Sequence, residues 1–431
     1  MSSNLHKRVM QSGMGGLPPK MPGPPSLSGS RSGGGPRGRA NRDYTPLPWS
    51  NYFAGKETVD CGASGRFNIY TKNCDDAEFA ETPVIVLLHG GGFSGLTWAC
   101  LTSDLVSKVK VRVLAIDLRG HGETETSDDE DLSAERLAKD VVEIISKKFE
   151  GKRTNVMLVG HSMGGALAVH SALTGEIGNL LGVCVIDVVE GTNSRSISSI
   201  HGFSPIVFLG TAMDALHSMP TFLRSRPPKF RSLPYAIEWD VRSGQVRNHE
   251  SARVSMPGQL KNCKTGKCAT FDVDKAREEA SGSGAVIREK VVIKAADSIS
   301  EEAEDGEAST TKPEMAPPKT GAATETSQQY EWRIDLAASQ PHWTGWFSGL
   351  SNKFLSVPAA KLLLLAGVDR LDRDLTVGQM QGKFQMQILP QAGHAVHEDV
   401  PDRVADLLAT FLVRNKFAEP CGDYQHVIPS C

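Results

Sequence analysis

Apolar positions along the chain follow two rhythms. Short, unbroken runs rich in Val, Ile and Leu recur at 83–90 (PVIVLLHG), 111–118, 155–160, 181–189, 361–367 and 384–390. They read as strands buried on both faces. Helical spacing fills the intervals, most clearly at 133–149, where Leu137, Val141, Ile144 and Ile145 share one face and Ser133 is placed to cap the first turn. A last helix is expected from near Asp402 through VADLLATFLVR. Alternation of this kind predicts an α/β fold built on a doubly wound, mostly parallel sheet. In such sheets chemistry gathers just beyond the carboxyl ends of the strands.

Two stretches break the rhythm. Residues 1–42 hold nine Gly, six Pro, seven Lys or Arg and no acid, which predicts a disordered basic tail; its PPKMPGPP run could dock on a polyproline reader, but a plain solvated tail is the favoured reading. A polar block runs from Cys263 to Gln329 and packs five carboxylates into positions 301–307, predicting a disordered acidic insertion at 263–329. About 320 of the 431 residues remain, enough for one α/β domain from 43 to 431 with a lid over about 190–355.

Composition narrows the classes further. The net charge of −3 lacks the basic excess of a nucleic-acid binder. No apolar run approaches the roughly 18 residues needed to cross a bilayer, and the first twenty residues lack a signal peptide's apolar stretch. Eight scattered cysteines read as reduced thiols, so a cytoplasmic or nuclear location is expected. Cys263 and Cys268 lack a second ligand pair, so no metal site is expected there.

Chemistry concentrates after three strands. Gly160-His161-Ser162-Met163-Gly164 lies between a strand and a helical pattern, the setting of a G-x-S-x-G nucleophile elbow. Ser162 is the expected nucleophile, and the amide of Met163 an oxyanion donor. His89-Gly90-Gly91-Gly92 closes the strand at 83–90, and its glycines let a backbone N–H approach a substrate, from Gly91 or Gly92. His394, on the loop after the last strand, is the expected base, while His397 suits a surface or capping role near the helix start. His89, His121 and His161 read as loop and scaffold histidines, and Asp117 as a loop-organising carboxylate. Two acids keep the order Ser…Asp…His: Asp187, ending the strand at 181–189, and Asp369, which spacing slightly favours. Trp332, Trp343 and Trp346 line a substrate groove or form the core of the lid.

Taken together, HGGGFSGLTW, AIDLRGHGET, VGHSMGGALAVH, IDVVEGT, AIEWDVRSGQVRNHESARVSM, LLLLAGVDRLDRDLTVGQMQGKFQMQ and GHAVHEDVPD resemble the protein phosphatase methylesterases, from about Thr45 to Cys431. The resemblance implies an α/β-hydrolase fold and a serine esterase, without a cofactor. It would remove the methyl ester from the C-terminal leucine of the protein phosphatase 2A catalytic subunit, its implied partner. By the same pattern IDVVEGT makes Asp187 the triad acid. In the family pattern Thr192 runs directly into Ala212; here 193–211 intervene. The alternative reading is therefore a phosphatase-binding inhibitor or scaffold whose hydrolase site that insertion impairs.

Overall fold

The computed structural model describes residues 42–190, 212–282, 329–367, 371–422 and 424. The basic tail, the stretch at 193–211 and most of the acidic block lie outside the described residues. Eleven strands are present among those described: β1 (Gly55–Asp60), β2 (Arg66–Lys72), β3 (Val84–Leu88), β4 (Arg112–Ile116), β5 (Val156–His161), β6 (Leu180–Ile186), β7 (Lys229–Phe230), β8 (Leu260–Asn262), β9 (Tyr330–Trp332), β10 (Ala360–Leu365) and β11 (Gln385–Ile388). The six apolar runs became β3, β4, β5, β6, β10 and β11. β1 and β2 form an additional antiparallel hairpin, and β2 joins β4 antiparallel. The large sheet has the order β1-β2-β4-β3-β5-β6-β10-β11, parallel from β4 onward.

Helices cover both faces. The first three are α1 (Ala99–Val106), α2 (Ala134–Lys148) and α3 (Met163–Leu173). The inserted region supplies α4 (Ala212–Ser225), α5 (Leu233–Ser243), α6 (His249–Ser255), α7 (Thr270–Gly282), α8 (Gln340–Phe347) and α9 (Leu350–Ser356). The chain closes through α10 (Arg373–Met380), α11 (Val396–Asp399) and α12 (Pro401–Arg414). Alternate residues of each strand serve opposite cores. Val84, Val86 and Leu88 pack with α2, α3, α8 and α9, whereas Ile85 and Leu87 pack with α1 and α12. That is why the buried strands read as unbroken apolar runs. Ser133 caps α2 as expected, its Oγ accepting from Arg136 N at 3.3 Å.

Between β6 and β10 a small antiparallel sheet, β7-β9-β8, carries its own apolar cluster around Phe230, Ile237, Met256 and Tyr330. Here the predicted extent of the insertion needs correction. Residues 263–282 are ordered: a turn at Cys263–Lys267 leads to buried Cys268 and Ala269, then to α7. Asp272 of α7 accepts hydrogen bonds from Asn262 Nδ2 (2.7 Å) and Tyr330 Oη (2.9 Å). Cys263 N donates to Gln329 O at 2.9 Å, which ties together the two ends of the polar block. Composition concealed α7 because its outward residues are as polar as the block that follows.

Candidate active site

Ser162 stands between β5 and α3 with φ +53° and ψ −119°. A left-handed φ is costly for a residue with a Cβ, so a tight surround must hold it. Its N–H donates to Ile186 O (3.0 Å), and its carbonyl accepts from Gly165 N and Ala166 N. Gly160 and Gly164 make the turn possible: a Cβ at Gly160 would strike the carbonyl of Gly164, and one at Gly164 the carbonyl of Leu88. Met163 N opens the helix ahead of the amides that close its first turn, so it is left for a ligand.

The carboxyl end of β6 supplies Asp187, also in the left-handed region at φ +54°. Oδ2 of Asp187 accepts from His394 Nδ1 at 2.8 Å, and Oδ1 accepts from Ala366 N at 3.0 Å. The first bond places the imidazole proton on Nδ1 and leaves Nε2 as the basic nitrogen. The structure thus joins Asp187 to His394, while Asp369 lies outside the described residues. Ser162 Oγ makes no hydrogen bond to a described residue.

A second layer fixes these groups. His161 Nε2–H donates to His394 O at 2.8 Å. Asp399 accepts from Gly393 N (2.6 Å) and Arg247 N (2.7 Å), anchoring the loop that carries His394. His397 is a correction. It is fully buried, its ring tilted against those of Trp98 and His161 at centroid distances of 4.1 and 4.5 Å, with Nε2 2.8 Å from Thr97 Oγ1. Burial pushes its pKa well below the usual imidazole range. The short turn after β11 aims it inward, which helix-start propensity did not foretell.

The glycine loop after β3 is held the same way. His89 donates from Nδ1 to Gly90 O (2.7 Å) and accepts at Nε2 from Leu118 N. His121 Nε2 accepts from Gly92 N at 2.9 Å, and burial lowers the His121 pKa to about 4, keeping it a neutral acceptor. The amide of Gly92 is therefore spent on the scaffold, so of the two expected donors Gly91 is the one that remains. Asp117, buried below the loop, accepts from Gly95 N, Glu123 N and Asn68 Nδ2, the organising role expected of it.

The three tryptophans divide between the two readings, groove and core. Trp343 and Trp346 are buried in the main core, with Nε1 donating to Ser339 Oγ and Leu132 O, each at 2.7 Å. Helix α8 packs on α2 and α3, so these rings are core and not groove walls. Trp332 differs. It meets Phe230 and Trp239 edge-on, and the Arg226 guanidinium stacks on its ring with Cζ 3.3 Å from the centroid. Arg226 in turn stands beside Gly92, its Nη1 3.9 Å from where a Cβ on that glycine would lie. Sequence reasoning missed Arg226, for an arginine in FLRSRPPKF carries no local signal of its surroundings.

Comparison with known proteins gives the family and the fold. The alpha/beta hydrolase family profile matches residues 85–265 and 281–407. The chain is 48% identical over 424 residues to protein phosphatase methylesterase 1 of Mus musculus and 47% identical over 424 residues to that of Homo sapiens, covering 97% of this chain and 98% of the relative in both cases. A solved E-2-(acetamidomethylene)succinate hydrolase superposes with a TM-score of 0.53 at 15% identity, covering 83% of this chain and 99% of that one, a likeness of fold. With the eight-stranded sheet, the serine elbow and the Asp187–His394 pair in place, the chain belongs to the protein phosphatase methylesterase family of alpha/beta hydrolases.

Proposed function

We propose that the chain demethylates the C-terminal leucine methyl ester of the protein phosphatase 2A catalytic subunit through a triad of Ser162, His394 and Asp187. The observation that carries this reading is the 2.8 Å bond from His394 Nδ1 to Asp187 Oδ2, made beside a serine held at positive φ on a strand-to-helix turn. With Nδ1–H engaged, Nε2 is the nitrogen that takes the Ser162 proton once an ester fills the site; such catalytic bonds often tighten only on substrate binding. Oγ then attacks the ester carbonyl. The oxyanion is received by the amides of Gly91 and Met163, aided by the N-terminus of α3. His394 returns the proton to the departing methoxide, so methanol leaves and an acyl-serine remains. Water, deprotonated at the same Nε2, attacks the acyl-serine, and the C-terminal carboxylate is released as Ser162 regains its proton. The chemistry needs no cofactor.

The test is methanol release from a C-terminally methylated phosphatase catalytic subunit. Ser162→Ala is expected to reduce the rate by at least about a thousand-fold and to abolish fluorophosphonate labelling, while the complex with the phosphatase still forms. Release of methanol at the parent rate by this variant would remove the mechanism.

A further inference from the structure

Ester hydrolysis turns a neutral group into a carboxylate, and beside the oxyanion loop stands a cation whose Nε has no hydrogen-bond partner among the described residues. Arg226 follows α4 directly, its guanidinium flat on Trp332 and its Nη1 next to Gly92. Its Nε is buried and makes no hydrogen bond among the described residues. The same fold shows how a structural guanidinium is satisfied. Arg119 donates to both oxygens of Asp140 (2.7 and 2.9 Å) and to the carbonyls of Asp128 and Ser64. Among the described residues Arg226 has no such set.

The opposite charge that acts on Arg226 is Asp240, itself buried with Oδ2 unpaired. Burial raises the Asp240 pKa to about 8, with Arg226 lowering it and Asp399 raising it, and the two groups form no ion pair, which leaves the arginine charge uncompensated by a bonded carboxylate among the described residues. A planar guanidinium held on an indole keeps its geometry fixed and its N–H fork pre-organised for two carboxylate oxygens.

We propose that Arg226, held by Trp332, forms a carboxylate subsite at the edge of the oxyanion loop, and that it takes the C-terminal carboxylate released by hydrolysis. This rests on the proposed ester substrate and extends it. The neutral methyl ester cannot form an ion pair there, whereas the acid can, through two carboxylate oxygens, so the enzyme holds its product more tightly than its substrate. Arg226 is thus a binding residue that sets product affinity, and demethylated phosphatase remains a competitor for the site.

The experiment measures binding in the Ser162→Ala chain, where no turnover intervenes. Three fluorescent hexapeptides of one sequence end in leucine as free acid, amide or methyl ester, and anisotropy gives each Kd near pH 7. The acid is expected to bind about ten-fold or more tightly than the other two. Arg226→Met should erase that preference while leaving the amide and ester Kd within about two-fold, and Arg226→Lys should keep a reduced preference. Equal affinity for acid and amide, absence of binding by any peptide, or an undiminished preference in Arg226→Met would overturn the subsite. If Arg226→Met does not fold, the acid-to-amide ratio and the lysine variant still decide. Because no step of this assay requires catalysis, failure of methanol release and failure of the subsite are separate results.

Discussion

Asp187 and Asp369 each follow a strand in the sequence; Asp187 is among the described residues and bonds His394, and Asp369 is not. β6 and β10 are neighbours in the sheet, and the backbone just past β10 touches the Asp187 carboxylate through Ala366 N. Asp187 holds the Nδ1 proton at 2.8 Å and is itself fixed by an amide. Asp187→Asn should lower kcat by roughly a thousand-fold or more, since an amide that donates to Nδ1 imposes the wrong tautomer. Asp369→Asn should leave kcat within about two-fold of the parent. Steady-state methanol release from both variants decides it, and the reverse ranking would move the triad to β10. Ser162 and His394 were legible because each sits where a local pattern requires it: a G-x-S-x-G turn, and a loop after the last strand. The acid, the inward turn of His397 and the position of Arg226 depend on which strands are neighbours and how loops pack. Those are long-range facts absent from local spacing.

At the scale of elements, buried strands declare themselves while the hairpin and the polar helix do not. β1 is the partly exposed edge strand, its positions broken by Lys, Glu and Asp, while β2 beside it is buried from Phe67 to Thr71 but interrupts its apolar residues with Asn68 and Thr71. α7 is polar on most of its surface and is secured by a few specific bonds: Asp272 to Asn262 and Tyr330, Asp274 to Lys56 at 2.9 Å, and Thr270 Oγ1 to Glu123 Oε1 at 2.5 Å. Two truncations separate this helix from the residues beyond it. Replacing 283–328 by a ten-residue Gly/Ser linker should leave Tm within about 2 °C, because loop closure changes only slowly with length. Removing 264–328, which takes Cys268, Ala269 and α7 as well, should lower Tm by about 5 °C or more, through lost burial and orphaned polar partners. Differential scanning fluorimetry on the two chains reads the contrast, and equal melting would mean that α7 contributes nothing to the fold.

For the whole molecule, the buried ionisable groups around the site set a pH dependence whose sign can be worked out. Burial lowers the pKa of His89, His121 and His397, so the unfolded chain binds more protons than the folded one between about pH 4 and 6.5, and stability rises with pH across that interval. Burial acts on carboxyls in the opposite sense. Asp117 is raised to about 6, Asp240 to about 8 and Glu398 well above the usual carboxylate range. Their stabilisation is complete below about pH 4 and is lost as pH climbs toward the folded values. Above pH 6.5 the histidine contribution is finished and Asp117 is largely ionised, which leaves Asp240 and Glu398 to govern. Unfolding free energy should therefore fall between pH 6.5 and 8, by on the order of 1 kcal/mol per pH unit. Beyond pH 8 the buried thiols of Cys100, Cys184 and Cys268, all raised, extend the same trend. Asp240→Asn should reduce the slope in the 6.5–8 window, and adding Glu398→Gln should flatten it, as read from urea midpoints at constant ionic strength. A parent chain whose urea midpoint holds level or rises across that window would show that both carboxyls ionise freely in the folded state. The uncompensated charge ascribed to Arg226 would then have to be reconsidered along with them.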